Sequence, residues 1–163
     1  MLLDIKKLFG HSEVPLCAHE TLDLTGEDFP GYTVEGPVTL DVNAALVGAV
    51  VELHISLSAV VHYACARCLE PSQQTFTVDR LYSIREVDLT DPDAELSFTP
   101  EGKLDTRELA YTELVLEVPS VLLCSDECAG LCPVCGGRKP CACTHETNGD
   151  VDERLSILKQ LLT

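Results

Sequence analysis

The chain has 163 residues, 45% hydrophobic and 23% charged, a composition that fits a folded protein and excludes a disordered one. Asp and Glu number 27 against 11 Lys and Arg, for a formal net charge of -16. Such a surface repels phosphate backbones as a whole and attracts basic protein over roughly 8 to 10 Å at ordinary salt. Trp is absent and aromatics are 5% of the chain, so few rings are available for stacking bases.

A chain of this length buries roughly 70% of its unfolded surface, so a single domain over 1–163 can build a core without metal. Met1-Leu2-Leu3-Asp4-Ile5-Lys6-Lys7-Leu8 carries no long apolar stretch behind a basic start. Neither a signal nor a transit peptide is therefore expected, and the location predicted is cytoplasmic. Nowhere do about 20 apolar residues run without a charge, so no membrane span is predicted.

In chain order, a short helix is predicted over 4–9, then extended segments over 20–24 and 32–42, punctuated by Gly26, Pro30, Gly31, Gly36 and Pro37. Leu53, Ile55, Leu57, Ala59, Val61, Tyr63 and Cys65 occupy every second position, while Glu52, His54, Ser56, Ser58 and His62 take much of the other face. That alternation predicts a half-buried antiparallel strand. Phe76, Val78, Arg80, Tyr82 and Ile84 alternate in turn, which predicts a hairpin whose turn contains Cys68 to Ser72, within a sheet core of about 20–85. Residues 86–103 are acidic and hold Pro92, Pro100 and Gly102, the composition of a mobile surface loop.

Asp105-Thr106-Arg107-Glu108 has the spacing of a capping box, and the apolar-rich segment behind it runs to Val118 before Pro119 stops it. Beyond a cysteine-rich region that ends near 145, Val151, Leu155, Leu158 and Leu162 repeat at helical spacing, so a C-terminal amphipathic helix is predicted over 151–162. The fold class expected is α+β: a twisted antiparallel sheet or partial barrel, a capped helix, cysteine-rich loops and a C-terminal helix.

Eight of the nine cysteines fall in close pairs: Cys65 and Cys68, Cys124 and Cys128, Cys132 and Cys135, Cys141 and Cys143. In a reducing compartment such pairs are read as metal ligands rather than disulfides. Zinc takes four thiolates in a tetrahedron, and two residues between paired cysteines let one turn aim both at one ion. Cys132-Pro-Val-Cys135-Gly136 is the strongest of the four signals, because glycine tolerates the positive φ that ends such a turn. One or two structural zinc ions are expected. One partition groups Cys65, Cys68, Cys124 and Cys128 around one ion and Cys132, Cys135, Cys141 and Cys143 around another. The other joins the two C-x2-C pairs as a ribbon and leaves the remaining four together, and spacing does not choose between them. Iron–sulfur ligation and redox disulfides are alternative uses. Cys17, outside the pairs, is read as a buried thiol without metal.

A closed four-thiolate site has no open position for a catalytic water. The histidines His11, His19, His54, His62 and His145 form no H-E-x-x-H motif, and no phosphate loop or nucleophile elbow is found. His54 and His62 are expected on the rim or surface. No catalytic residue and no small-molecule substrate are predicted.

The run Cys65-Ala-Arg-Cys68-Leu69-Glu70-Pro71, the segment from Leu104 through Leu116 to Pro119, Cys124 through Cys128, Gly130-Leu131-Cys132-Pro133-Val134-Cys135-Gly136 and Asp152-Glu153-Arg154-Leu155 with Leu158-Lys159 together resemble the YceD family of large ribosomal RNA accumulation proteins. The resemblance implies a non-enzymatic factor in ribosome biogenesis that supports accumulation of large-subunit (23S) rRNA. The chain departs from the family's pattern after Gly136, where Gly137-Arg138-Lys139-Pro140 leads straight to Cys141 and shortens the second loop.

Two functions of different class follow. In the first, the acidic body binds a basic ribosomal protein or large-subunit precursor and reaches rRNA through it. In the second, Arg67, Arg138 and Lys139, each beside a cysteine knuckle, form a small basic tip that binds RNA directly. A thiol redox or zinc-sensing switch is a further reading.

Overall fold

Alternation of apolar and polar residues dictates the centre of the molecule. In the computed structural model, which describes residues 1–10 and 14–143, strand β5 (Val50–Ala64) buries Val51, Leu53, Ile55, Leu57, Ala59, Val61 and Tyr63 on one face. Because side chains alternate across a strand, this one register commits the whole face to the core. Each fully buried aliphatic side chain contributes roughly 1.5–3 kcal/mol, so slipping the strand by one residue would cost an amount comparable to the whole stability of a typical domain.

The remaining elements arrange themselves on β5. Strand β1 is Leu2–Asp4, helix α1 Lys6–Phe9, β2 Leu16–Asp23, β3 Tyr32–Val34, β4 Pro37–Val47, β6 Pro71–Arg85, β7 Lys103–Asp105 and helix α2 Thr106–Glu117. One edge of β5 pairs with β4 from Val50 to Ser58 and with β3 from Val61 to Tyr63, while the other edge pairs with β6 from Val50 to Ala64. β2 lies outside β4. β1 and β7 form a separate two-stranded sheet, and all these pairings are antiparallel. The fold is α+β.

The extended segment expected over 32–42 is two strands. Gly36 has a φ of 87°, a conformation costly for any residue with a Cβ, and it turns the chain out of β3 before Pro37 opens β4. Asp105 caps α2 by accepting a hydrogen bond from the Arg107 main-chain N–H at 2.9 Å. Leu109, Ala110 and Leu114 of α2 join the same core as β5, and the Tyr32 hydroxyl donates to the Leu114 carbonyl at 3.2 Å.

The acidic stretch 86–103 differs from the surface loop expected. It opens with a 3-10 helix (Glu86–Thr90) whose start is held by bonds from the Arg85 N–H and guanidinium to Asp88, and it buries Leu89 and Leu96. Charge dominates its composition, yet two leucines are enough to anchor it.

Cys17 is exposed rather than buried. It lies on β2, whose outward positions Cys17, His19, Thr21 and Asp23 alternate with the half-buried Leu16, Ala18, Glu20 and Leu22. The parity of an outer strand placed this thiol, against the general preference of cysteine for the interior.

Where the sequence suggests a single domain, the chain divides into two units, Met1–Cys128 and Ala129–Thr163. Of the second, residues 129–143 are described. His11, His145 and the C-terminal helix expected over 151–162 lie outside the described residues.

Candidate metal centres

The first centre is built at the tip of the β5–β6 hairpin. The turn runs from Cys65 to Glu70, a little earlier than the Cys68 to Ser72 expected, because β6 already begins at Pro71. The Cys65 N–H donates to the Glu70 carbonyl and the Leu69 N–H to the Cys65 carbonyl, both at 2.9 Å. This tight turn places Cys65 and Cys68 on one side.

The other two cysteines arrive on the segment after α2. The Ala66 N–H donates to the Leu122 carbonyl at 2.9 Å, and the Tyr63 hydroxyl donates to the Leu123 carbonyl at 2.9 Å. Arg67 reaches further along the same segment, its Nη1 donating to the Cys128 carbonyl at 3.1 Å and standing 3.4 Å from that of Asp126. Four contacts that involve no sulfur thus seat 122–128 against the hairpin.

The Cys65 and Cys128 Sγ atoms are then 3.8 Å apart and those of Cys68 and Cys124 3.6 Å apart, with all four within 4.8 Å of one another. A tetrahedron with sulfur about 2.3 Å from its centre has edges of about 3.8 Å. Disulfides are far shorter, and the cysteines are free thiols. The donor set and its spacing fit one tetrahedral ion.

The second centre lies within residues 129–143. The Cys132 N–H donates to the Gly137 carbonyl at 2.7 Å, the Gly136 N–H to the Cys132 carbonyl at 2.8 Å, and the Lys139 N–H to the Gly130 carbonyl at 3.0 Å. Main-chain N–H groups of Val134 and Cys135 point at the Cys132 sulfur at 3.3 and 3.4 Å. Cys132, Cys135, Cys141 and Cys143 have their sulfurs within 4.8 Å of one another.

Electrostatics divide the thiols within each centre. Main-chain N–H groups, first that of Cys124 and then those of Arg67 and Cys68, stabilise the Cys65 thiolate and bring its pKa down to about 6. Cys132 is brought down to about 6 in the same way, chiefly by the N–H of Cys135. Cys124 is pushed up to about 12 by its Cys68 and Cys128 neighbours and by burial, and Cys143 to about 12 by Cys135 and burial. Without a cation, Cys124 and Cys143 resist ionising beside the more acidic Cys65 and Cys132. A divalent ion reverses that penalty, since a coordinated thiol is deprotonated outright.

The sulfurs therefore group as the first of the two partitions, and both groups could hold a metal ion. The ribbon partition is not formed. Arg67 belongs to the first unit and Arg138 and Lys139 to the second. His54 is half-exposed, its Nε2 3.0 Å from Asp79 Oδ1, and His19 Nδ1 is 2.6 Å from Asp41 Oδ1. His62 lines an open groove with Thr33 and Gln73.

Sequence reasoning missed the Tyr63 hydroxyl, the Arg67 bridge and the backbone at Leu69. The first two carried a signal in their positions, two residues before a C-x2-C pair and inside it. Leu69 carried none, because nothing in its side chain suggests a positive φ.

The family model described as Large ribosomal RNA subunit accumulation protein YceD matches residues 53–162, a span that includes both cysteine groups. Neither a curated protein nor a solved structure matches the chain.

Proposed function

The chain belongs to the YceD family of large ribosomal RNA subunit accumulation proteins, and from that premise we propose that it is a non-enzymatic ribosome-biogenesis factor carrying two structural zinc ions. It supports accumulation of large-subunit rRNA by binding a basic ribosomal protein or an assembly intermediate. The family match over 53–162 carries this reading.

Two further features support its details. Cys65, Cys68, Cys124 and Cys128 would hold one ion, and Cys132, Cys135, Cys141 and Cys143 the other; zinc supplies no redox chemistry there and ties chain segments together. The net charge of -16 favours a basic protein as the direct contact and disfavours bare RNA, since it raises the encounter rate with cations and lowers it with phosphates.

The test is depletion of the protein in its own cells, with the ratio of large- to small-subunit rRNA followed as the protein is lost. The ratio should fall and recover when the wild-type chain is restored. An unchanged ratio would sink the biogenesis role. Binding of purified basic large-subunit proteins and of large-subunit rRNA fragments, compared at equal salt, separates the protein contact from a direct RNA contact.

A further inference from the structure

We infer that Arg67 is a positioning residue of the first cysteine centre, a brace that closes the segment 124–128 over the hairpin tip and so fixes the Cys128 sulfur. The inference rests on the zinc reading above.

Arg67 sits between Cys65 and Cys68, so its backbone is part of the knuckle. Its side chain leaves that turn and crosses to the segment after α2, where a single nitrogen meets the Cys128 and Asp126 carbonyls at 3.1 and 3.4 Å. Residues 126 and 128 are close to the end of the loop, beyond the anchors at Leu122 and Leu123 that Ala66 and Tyr63 hold. The Cys128 N–H in turn donates to the Ser125 carbonyl at 3.1 Å, which closes a small turn. With Arg67 in place both sides of that turn are tied: its start to the hairpin through Leu122 and Leu123, its end through the guanidinium. Without it, the hydrogen bonds described that join this end to the hairpin are lost, and the Cys128 sulfur must hold it there.

Charge adds to the geometry. Four thiolates around one divalent ion carry a net charge of -2, and a guanidinium within the knuckle offsets part of it. Both carbonyls meet one nitrogen, Nη1, of a planar and rigid guanidinium, which holds its place better than a lysine ammonium on a flexible stem. The side chain is exposed, so its removal should act on the site more than on the core.

The experiment uses the full chain with Cys132 and Cys135 changed to Ser, so that only the first centre takes metal, and Co(II) and Zn(II) as probes. The parent is measured first; if it takes up neither metal, the zinc reading fails, and that outcome is separate from any effect of Arg67. Given uptake, Arg67→Ala should weaken affinity in competition with a chelator about 10- to 100-fold, the range seen when groups that orient metal ligands are removed, and should alter the Co(II) thiolate spectrum. Arg67→Lys should recover part of the loss, which a gross folding defect would not allow. Equal affinity and an identical spectrum in Arg67→Ala would overturn the assignment. So would intact metal affinity combined with lost binding to large-subunit rRNA fragments, which would make Arg67 an RNA contact.

Discussion

Leu69 and Gly136 occupy the same place in two separate knuckles. Each follows the second cysteine of a C-x2-C pair, each donates its N–H to the carbonyl of the first cysteine, at 2.9 and 2.8 Å, and each has positive φ, 60° and 69°. Glycine adopts that backbone freely, whereas a residue with a Cβ pays about 1–2 kcal/mol. Leu69 is 65% exposed, so its side chain returns little of that cost by burial. Leu69→Gly should therefore stabilise the metal-loaded protein by about 1 kcal/mol, a rise of about 2–4 °C in Tm. A scanning calorimetry trace showing a lower Tm would mean that the leucine makes a contact worth more than its strain.

The two centres differ in what they span. The first joins the tip of the β5–β6 hairpin, near residue 65, to residues near 126, whereas the second closes a loop of 132–143. By the loop-entropy estimate for cross-links, closing about 60 residues is worth about 4 kcal/mol and about 12 residues about 3 kcal/mol. Cys65→Ser should lower the melting temperature of the sheet in the zinc-loaded protein, while Cys132→Ser should leave that transition in place. Far-ultraviolet circular dichroism through thermal unfolding reads both, and equal effects would contradict the assignment of the first centre to the sheet body.

Thiol chemistry offers an independent count. Cys17 alone among the nine cysteines is both exposed and outside the two groups. With zinc bound, one maleimide should add rapidly, at Cys17, as read by intact mass and peptide mapping. Chelator treatment should then release further sites. Prompt labelling of several cysteines before chelation would show the groups to be metal-free.

A buried ion pair ties α2 to β6. The Tyr82 hydroxyl donates to the Glu113 carboxylate, which is 1% exposed, and Arg80 Nε is 3.2 Å from the other carboxylate oxygen. Arg80→Ala leaves a buried carboxylate without its cation and should cost about 3 kcal/mol, the low end of the range for broken buried pairs because the guanidinium is partly solvated. Tyr82→Phe removes a neutral donor and should cost about 1–2 kcal/mol. Urea unfolding should rank them in that order.

The same tyrosine makes stability depend on alkaline pH. Burial, and then the bond to Glu113, pushes the Tyr82 pKa from 10.0 up to about 12, and burial does the same to Tyr32. A pKa raised in the folded state stabilises it fully below the unfolded value and loses that contribution as pH rises through the folded value. Stability should hold up to about pH 10 and fall between there and about 12. Tyr82→Phe should flatten part of the fall, and an ultraviolet titration of the native protein should show ionisation delayed past the ordinary range. A native titration complete near pH 10 would contradict both shifts.

Strand β5, its hairpin with β6, helix α2 and the pairing of eight cysteines are legible in the sequence because each rests on a short period: two for a strand, a cap spacing for a helix, two residues between ligands for a knuckle. The anchoring of the acidic stretch by Leu89 and Leu96 is less legible, since composition describes a segment by its majority and this feature depends on two residues; Gly36 and Pro37 stand out as punctuation, but only the structure makes them the boundary of two strands. Cys17 shows the same limit from the other side: residue type favours burial, and strand parity decides.

By itself the sequence determined which residues could be ligands, that the surface is acidic, and that one apolar face of a long hairpin must be covered. The grouping of sulfurs was a matter for the tertiary structure alone. Cys65 and Cys124 stand 59 positions apart, and nothing in local spacing brings them together. Their meeting follows from the path of the chain through β6 and α2 and from hydrogen bonds made by Tyr63, Ala66 and Arg67, contacts whose partners are defined only once the sheet has formed.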